Sequence, residues 1–192
     1  MIRRSLALPV AGAFVLVCLA SAPAHATSFT IHTIMLGSNE APPNASPATG
    51  VADITLVGDS LTVDETWAGL VGGNPTAAHI HCCAPAGVNA AVAVGFPSFP
   101  AALAGTYFHV FNLLDPTVYN APFLAGAGGT AAGAEAALIA GMMAGNAYVN
   151  IHDATYPGGE IRGQLGPVPE PATIFLLGSG LIGAGIRRYR RA

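Results

Sequence analysis

The sequence predicts an all-β fold: an antiparallel, Greek-key-like β-sandwich with one short helix, flanked by an N-terminal signal peptide and a C-terminal apolar helix. Three observations carry this. Between residues 28 and 165, short apolar and β-branched segments alternate with Gly- and Pro-rich turns at strand spacing. A single stretch, Ala131 to Ala144, is rich enough in Ala, Leu and Met to read as a helix. Both ends have the composition of processing signals rather than of a folded domain.

In chain order, residues 1–26 come first. They have a basic start (Arg3, Arg4), an apolar core from Val10 to Ala20 and an Ala24-His25-Ala26 cleavage site, the pattern of an export signal. The core is too short to span a bilayer. Cys18 follows Val17, where a lipid-anchor signal would have a small residue.

Residues 27–166 form the expected domain, large enough to bury one core without disulfide help. Ser28 to Leu36 reads as a strand, and Glu40 to Gly50 as a Pro-rich loop. Val51 to Val57 and Ser60 to Trp67 flank Gly58-Asp59, a tight hairpin turn. Further strands are expected at Thr76 to Cys82, Val88 to Val94, Gly105 to Leu113, Ala147 to Asp153 and Glu160 to Leu165. The helix puts Ala134, Leu138 and Met142 on one face, with Gly145 as C-cap. Trp67, at a strand end, reads as core rather than as a sugar platform.

Residues 167–192 contain Pro169-Glu170-Pro171, an apolar run from Thr173 to Ile186, and the cluster Arg187-Arg188-Tyr189-Arg190-Arg191. This order resembles the PEP-CTERM sorting signal. That resemblance implies export across the inner membrane of a Gram-negative bacterium and transient anchoring there by the C-terminal helix. Cleavage by an exosortase would then release the protein to an exopolysaccharide-rich cell surface or the medium. The leader implies the Sec machinery as an export partner.

Charge narrows the function classes. The chain has no Lys, and six of its seven Arg lie at the ends. Between Thr27 and Gly166, nine carboxylates face one cation, Arg162, a formal charge of −8. Nucleic-acid binding needs clustered cations to displace counterions, so it is excluded. No nucleophile elbow, spaced triad, phosphate loop or dinucleotide fingerprint occurs, and no catalytic residue is assigned.

Asn39-Glu40-Ala41-Pro42-Pro43, Ala48-Thr49-Gly50, His79-Ile80-His81, Tyr148-Val149-Asn150-Ile151-His152 and Gly159-Glu160-Ile161-Arg162-Gly163 resemble, in that order, the CHRD domain first defined in chordin. The resemblance implies an all-β sandwich. Cys82-Cys83 departs from it.

Strand alternation sharpens the reading. Val149 and Ile151 face one way, and Tyr148, Asn150 and His152 the other. A five-residue loop, Ala154 to Gly158, sets His152 opposite Glu160, Asn150 opposite Arg162 and Tyr148 opposite Gln164. His79 and His81 share a face for the same reason. Two His at i, i+2 on a strand project side by side, as β-sheet copper and zinc sites require, and His152 could supply a third nitrogen. Cys83 and Glu160 are further candidate ligands. The His-x-His pattern is similar to that of copper–zinc superoxide dismutase, but no second histidine cluster matches that enzyme. The alternative is a hydrogen-bonded polar layer without metal. Arg162 needs a partner, for which Glu160 and Glu40 are candidates. Cys82-Cys83 could form an adjacent disulfide, remain as free thiols, or supply Cys83 to a metal. Two functions stay open: a non-catalytic surface or matrix module associated with exopolysaccharide, or a copper- or zinc-binding metalloprotein.

Overall fold

A computed structural model of the chain describes residues 28–166. The expected signal peptide, and the sorting tail with its apolar helix, lie outside the described residues. Among those described, no helix is long and apolar enough to cross a membrane.

Eight strands form: β1 (Ser28–Leu36), β2 (Thr49–Val57), β3 (Ser60–Ala68), β4 (Ala77–Cys82), β5 (Val92–Gly95), β6 (Gly105–Asn112), β7 (Ala147–His152) and β8 (Ile161–Leu165). All eight were expected from the segment pattern. β5 starts four residues later than expected because Ala84 to Ala91 folds as a loop. The Gly58-Asp59 turn forms, with Val57 paired to Ser60.

Every ladder is antiparallel, and the strand order is β5-β4-β7-β8-β1-β2-β3-β6. The sheet is continuous, but its two four-stranded halves meet at β1 and β8 through a single register pair, Leu36 with Arg162. It therefore curls so that the halves face each other across one core. The outer edges also converge. Phe96, just beyond β5, lies 5.1 Å from Tyr107 and 6.1 Å from Phe111 of β6, ring to ring.

Alternation fills the interior. Ile31 and Met35, Ile54 and Leu56, Leu61 and Val63, Ile80, and Val149 and Ile151 are all fully or almost fully buried. Trp67 is core as expected, its indole N–H donating to the Ala102 carbonyl at 2.9 Å.

The expected helix is α2 (Ala131–Met143); a six-residue helix, α1 (Ala121–Gly126), precedes it and was not anticipated. Thr130 caps α2 by accepting from the Gly133 amide at 3.1 Å. Ala134, Leu138, Gly141 and Met142 face the sheet. The helix ends in a Schellman motif: the Asn146 amide bonds to Gly141 O at 2.8 Å and the Gly145 amide to Met142 O at 3.0 Å. Gly145 has φ +70°, which only glycine adopts without cost.

The β4-β7-β8 half differs from its partner in being buried on both faces. One face is apolar core. The other carries His79, His81, Tyr148, Asn150, His152, Arg162 and Gln164, and loops cover most of it, leaving His79, His152 and Gln164 half-buried. One such loop is pinned by the Asn44 amide, which donates to the carbonyls of Gly159 and Glu160 at 3.2 and 3.1 Å.

Candidate metal centre

The β4–β7 register builds the site. His79 pairs with Asn150, His81 with Tyr148 and Ala77 with His152. His152 is thus the diagonal neighbour of His79, close enough for rings to touch. The short side chain of Ala77 leaves room above the strand for them. On its other side, β4 pairs with β5 through a register shift between Ile80 and His81. Irregularities of this kind re-aim side chains beside functional sites.

The three rings come together. Ring centroids are 5.0 Å apart for His79 and His152, 5.5 Å for His79 and His81, and 5.6 Å for His81 and His152. One nitrogen from each ring lies within 4.8 Å of the other two. The tautomers follow from the partners. His81 Nδ1 is 2.9 Å from the Ala90 carbonyl, and His152 Nδ1 is 3.0 Å from that of Pro157. A carbonyl only accepts, so both Nδ1 atoms carry the proton and both Nε2 atoms present a bare lone pair.

Those two Nε2 atoms, and His79 Nδ1, are buried without a hydrogen-bond partner among the described residues. A buried, unpaired polar atom costs about 1–3 kcal/mol, and here three such acceptors share one cluster. All three rings are neutral at pH 7. Burial lowers the pKa of each, and the neighbouring His152 and His81 help push His79 to about 4.

Outer groups hold these rings in place. The Tyr148 ring stacks on His81 at 4.7 Å and 3°, and its hydroxyl accepts from the Ala90 amide at 3.2 Å. The Arg162 guanidinium lies over the Tyr148 ring, 3.3 Å from its centre. Gly159 (φ +127°) passes so close to the Glu40 carboxylate and the Asn150 amide that a Cβ there would overlap both.

The remaining sequence candidates fall elsewhere. Cys83 is not near the rings: it is disulfide-bonded to Cys82, and both sulfurs pack against Gly141 of α2. The strand ends at Cys82, so the chain turns before Cys83 could take its place in line with His79 and His81.

Glu160 and Arg162 do not pair with each other. Arg162 instead donates to the Val88 carbonyl at 3.0 Å, Gln164 Oε1 at 3.2 Å and Asn89 Oδ1 at 3.3 Å. Of the two carboxylates considered, Glu40 is the one whose charge acts on it. Burial raises the Glu40 pKa to about 7 against the pull of Arg162.

Glu160 stands opposite His152 in the hairpin but turns to the loop after β3. It accepts from Ser46 Oγ at 2.5 Å and from the amides of Val71 and Gly72 at 2.8 and 3.2 Å. Burial pushes its pKa up, but hydrogen bonds with Asp153, Ser46, Val71 and Gly72 outweigh this and hold it below the usual range. Glu160→Ala should therefore cost about 1–3 kcal/mol, because the Ser46 hydroxyl and the Val71 and Gly72 amides would lose their acceptor. Urea denaturation measures this, and an unchanged midpoint would show that these hydrogen bonds do not stabilise the fold.

Sequence reading missed Glu65. It is fully buried on the inner face of β3, with neither oxygen partnered, and burial raises its pKa to about 8. Alternation with Leu61, Val63 and Trp67 was the available signal.

Among known proteins, the family model of the CHRD domain matches residues 31–165, and that of the PEP-CTERM protein-sorting motif matches 167–191. No curated protein and no solved structure matches the chain.

Proposed function

Since the chain belongs to the CHRD-domain family and ends in a PEP-CTERM sorting motif, we propose that it is a non-catalytic β-module that carries a copper or zinc ion on His79, His81 and His152 at the cell surface. The motif makes it a secreted or cell-surface protein of a Gram-negative bacterium, processed by an exosortase. Export through the Sec machinery, transient anchoring in the inner membrane and association with exopolysaccharide belong to the proposal and rest on the two chain ends.

The observation that supports the metal most is the set of three orphaned imidazole nitrogens, two with their tautomer fixed by a carbonyl. Neutral imidazole suits both copper and zinc, and copper(II) is held more tightly by a given ligand set. Three protein ligands leave a fourth position for water. Metal–nitrogen bonds of about 2.0–2.1 Å require the nitrogens to draw in slightly from their 4.8 Å limit. A two-metal, dismutase-like centre would need a second ligand group, and the described residues offer none.

Elemental analysis of the exported protein should find near-stoichiometric copper or zinc. Chelator should remove the ion and lower the melting temperature. A protein that is empty, and equally stable with and without chelator, would leave a surface module without metal.

A further inference from the structure

A cavity of about 780 Å³ opens where the β5 and β6 edges approach, and His79 lines it. That volume lies within the roughly 300–1,000 Å³ of small-molecule sites. Phe96, Phe99, Phe111 and Tyr119 supply its apolar walls, and His109 stands with Phe111 on β6. These rings are held in place from behind. Phe99 stacks on Trp67 at 4.5 Å, Phe96 stacks on Tyr107 at 5.1 Å, and the Tyr119 hydroxyl donates to Leu113 O at 2.9 Å.

The lining holds no Lys, Arg, Asp or Glu, although nine carboxylates are spread over the domain. Its polar atoms come from neutral groups, among them Asn120 and Ser98. Ser98 has φ +56°, a left-handed conformation that non-glycine residues adopt at a cost and that clusters at functional sites. Gly95 sits directly across from His79, and a Cβ there would lie 3.8 Å from His79 Cδ2. The missing side chain leaves the edge of that ring open to the cavity.

We propose that this cavity binds an uncharged, planar aromatic alcohol of the phenol class, with His79 as the wall it shares with the histidine cluster. A flat aromatic face stacks on Phe99, which is only half-buried, while Phe96 and Phe111 close the floor. The lining offers the hydroxyl amide, hydroxyl and imidazole groups from Asn120, Ser98 and His79. An anion would find no cation in the lining, and a cation no carboxylate. Binding needs no metal; only the position of the ligand beside an ion rests on the function proposed above.

The molecule carries its own reporter, because Trp67 is the single tryptophan of the chain and backs the cavity wall through Phe99. Titrating 4-methylphenol into the chelator-treated full chain should change Trp67 fluorescence saturably, with a Kd of about a millimolar or below. Gly95→Val, which suits a strand and fills the space beside His79, should weaken binding at least about tenfold. For wild-type protein, 4-methylcyclohexanol, of similar size but not flat, should bind at least about tenfold more weakly than the phenol. Because the titration is run on chelator-treated protein, a saturable response stands whether or not an ion binds, so failure of the metal reading and failure of the cavity ligand are seen separately. An absent or non-saturable response, equal binding by Gly95→Val, or equal binding of the cyclohexanol would each overturn the proposal.

Discussion

His152→Ala should weaken zinc or copper binding by more than about 100-fold, since even changes to residues behind metal ligands cost about 10–100-fold. The residue lies at the end of β7, partly exposed, and its ring hydrogen-bonds to Pro157 O. The substitution should therefore leave the core intact and remove one ligand. A competition titration against a metal indicator gives the affinity ratio. In wild-type protein, free ion at 100 times Kd should stabilise the fold by about 2.7 kcal/mol. In His152→Ala, the melting temperature should no longer respond to that concentration. An unchanged affinity would put the ion somewhere other than the histidine cluster.

Raising the pH should destabilise the protein through Glu65. Burial lifts its carboxyl from the ordinary value of 4.5 to about 8, so the folded state keeps a proton that the unfolded state releases. For a raised pKa, the stability contribution is complete below 4.5 and is lost as the pH climbs toward 8. Each pH unit between the two values is worth about 1.4 kcal/mol, so the loss across the window is on the order of 5 kcal/mol. That is large against a typical total of about 5–15 kcal/mol. Tyr107 faces Glu65 across the β3–β6 ladder and is itself raised to about 12, by burial first and by Glu65 second. Glu40 titrates with the same sign near 7, and His79 with the opposite sign between about 4 and 6.5. The difference between wild type and Glu65→Gln therefore isolates Glu65. Glu65→Gln should show a flatter stability–pH profile and a higher urea midpoint at pH 8. Parallel profiles for the two proteins would refute the assignment.

What was legible in the sequence follows the range of the forces involved. Period-two alternation and turn residues act locally, and they placed all eight strands. They also gave the β7–β8 register that sets Asn150 against Arg162 and Tyr148 against Gln164. Which strand lies beside which is a long-range matter, so the meeting of His79 and His81 with His152 depended on β4 pairing with β7. The same limit misdirected Glu160. Its hairpin position was right, but its carboxylate is captured by Ser46, Val71 and Gly72, which the sequence places about 90 to 115 positions away. The state of Cys82-Cys83 turned on where β4 stops, a boundary that alternation cannot set. Glu65 was legible in principle, because its neighbours two residues away on either side are apolar. The habit of reading carboxylates as solvated hid it.

The place of β8 in the sheet bears on how the chain acquires its fold. The last strand made is an interior one, inserted between β7 and β1, the first. Long-range pairing of this kind is slow to form, because the loop-closure entropy must be met before the contacts reward it. Until residues 161–165 are available, β1 and β7 both present open edges, and open edges recruit other chains. A secreted polypeptide threaded amino end first would thus remain an unfinished sheet through most of its passage. It would close only when the segment just ahead of the sorting motif emerges. Completion of folding and arrival of the processing signal are then adjacent events in time, because they are adjacent in sequence.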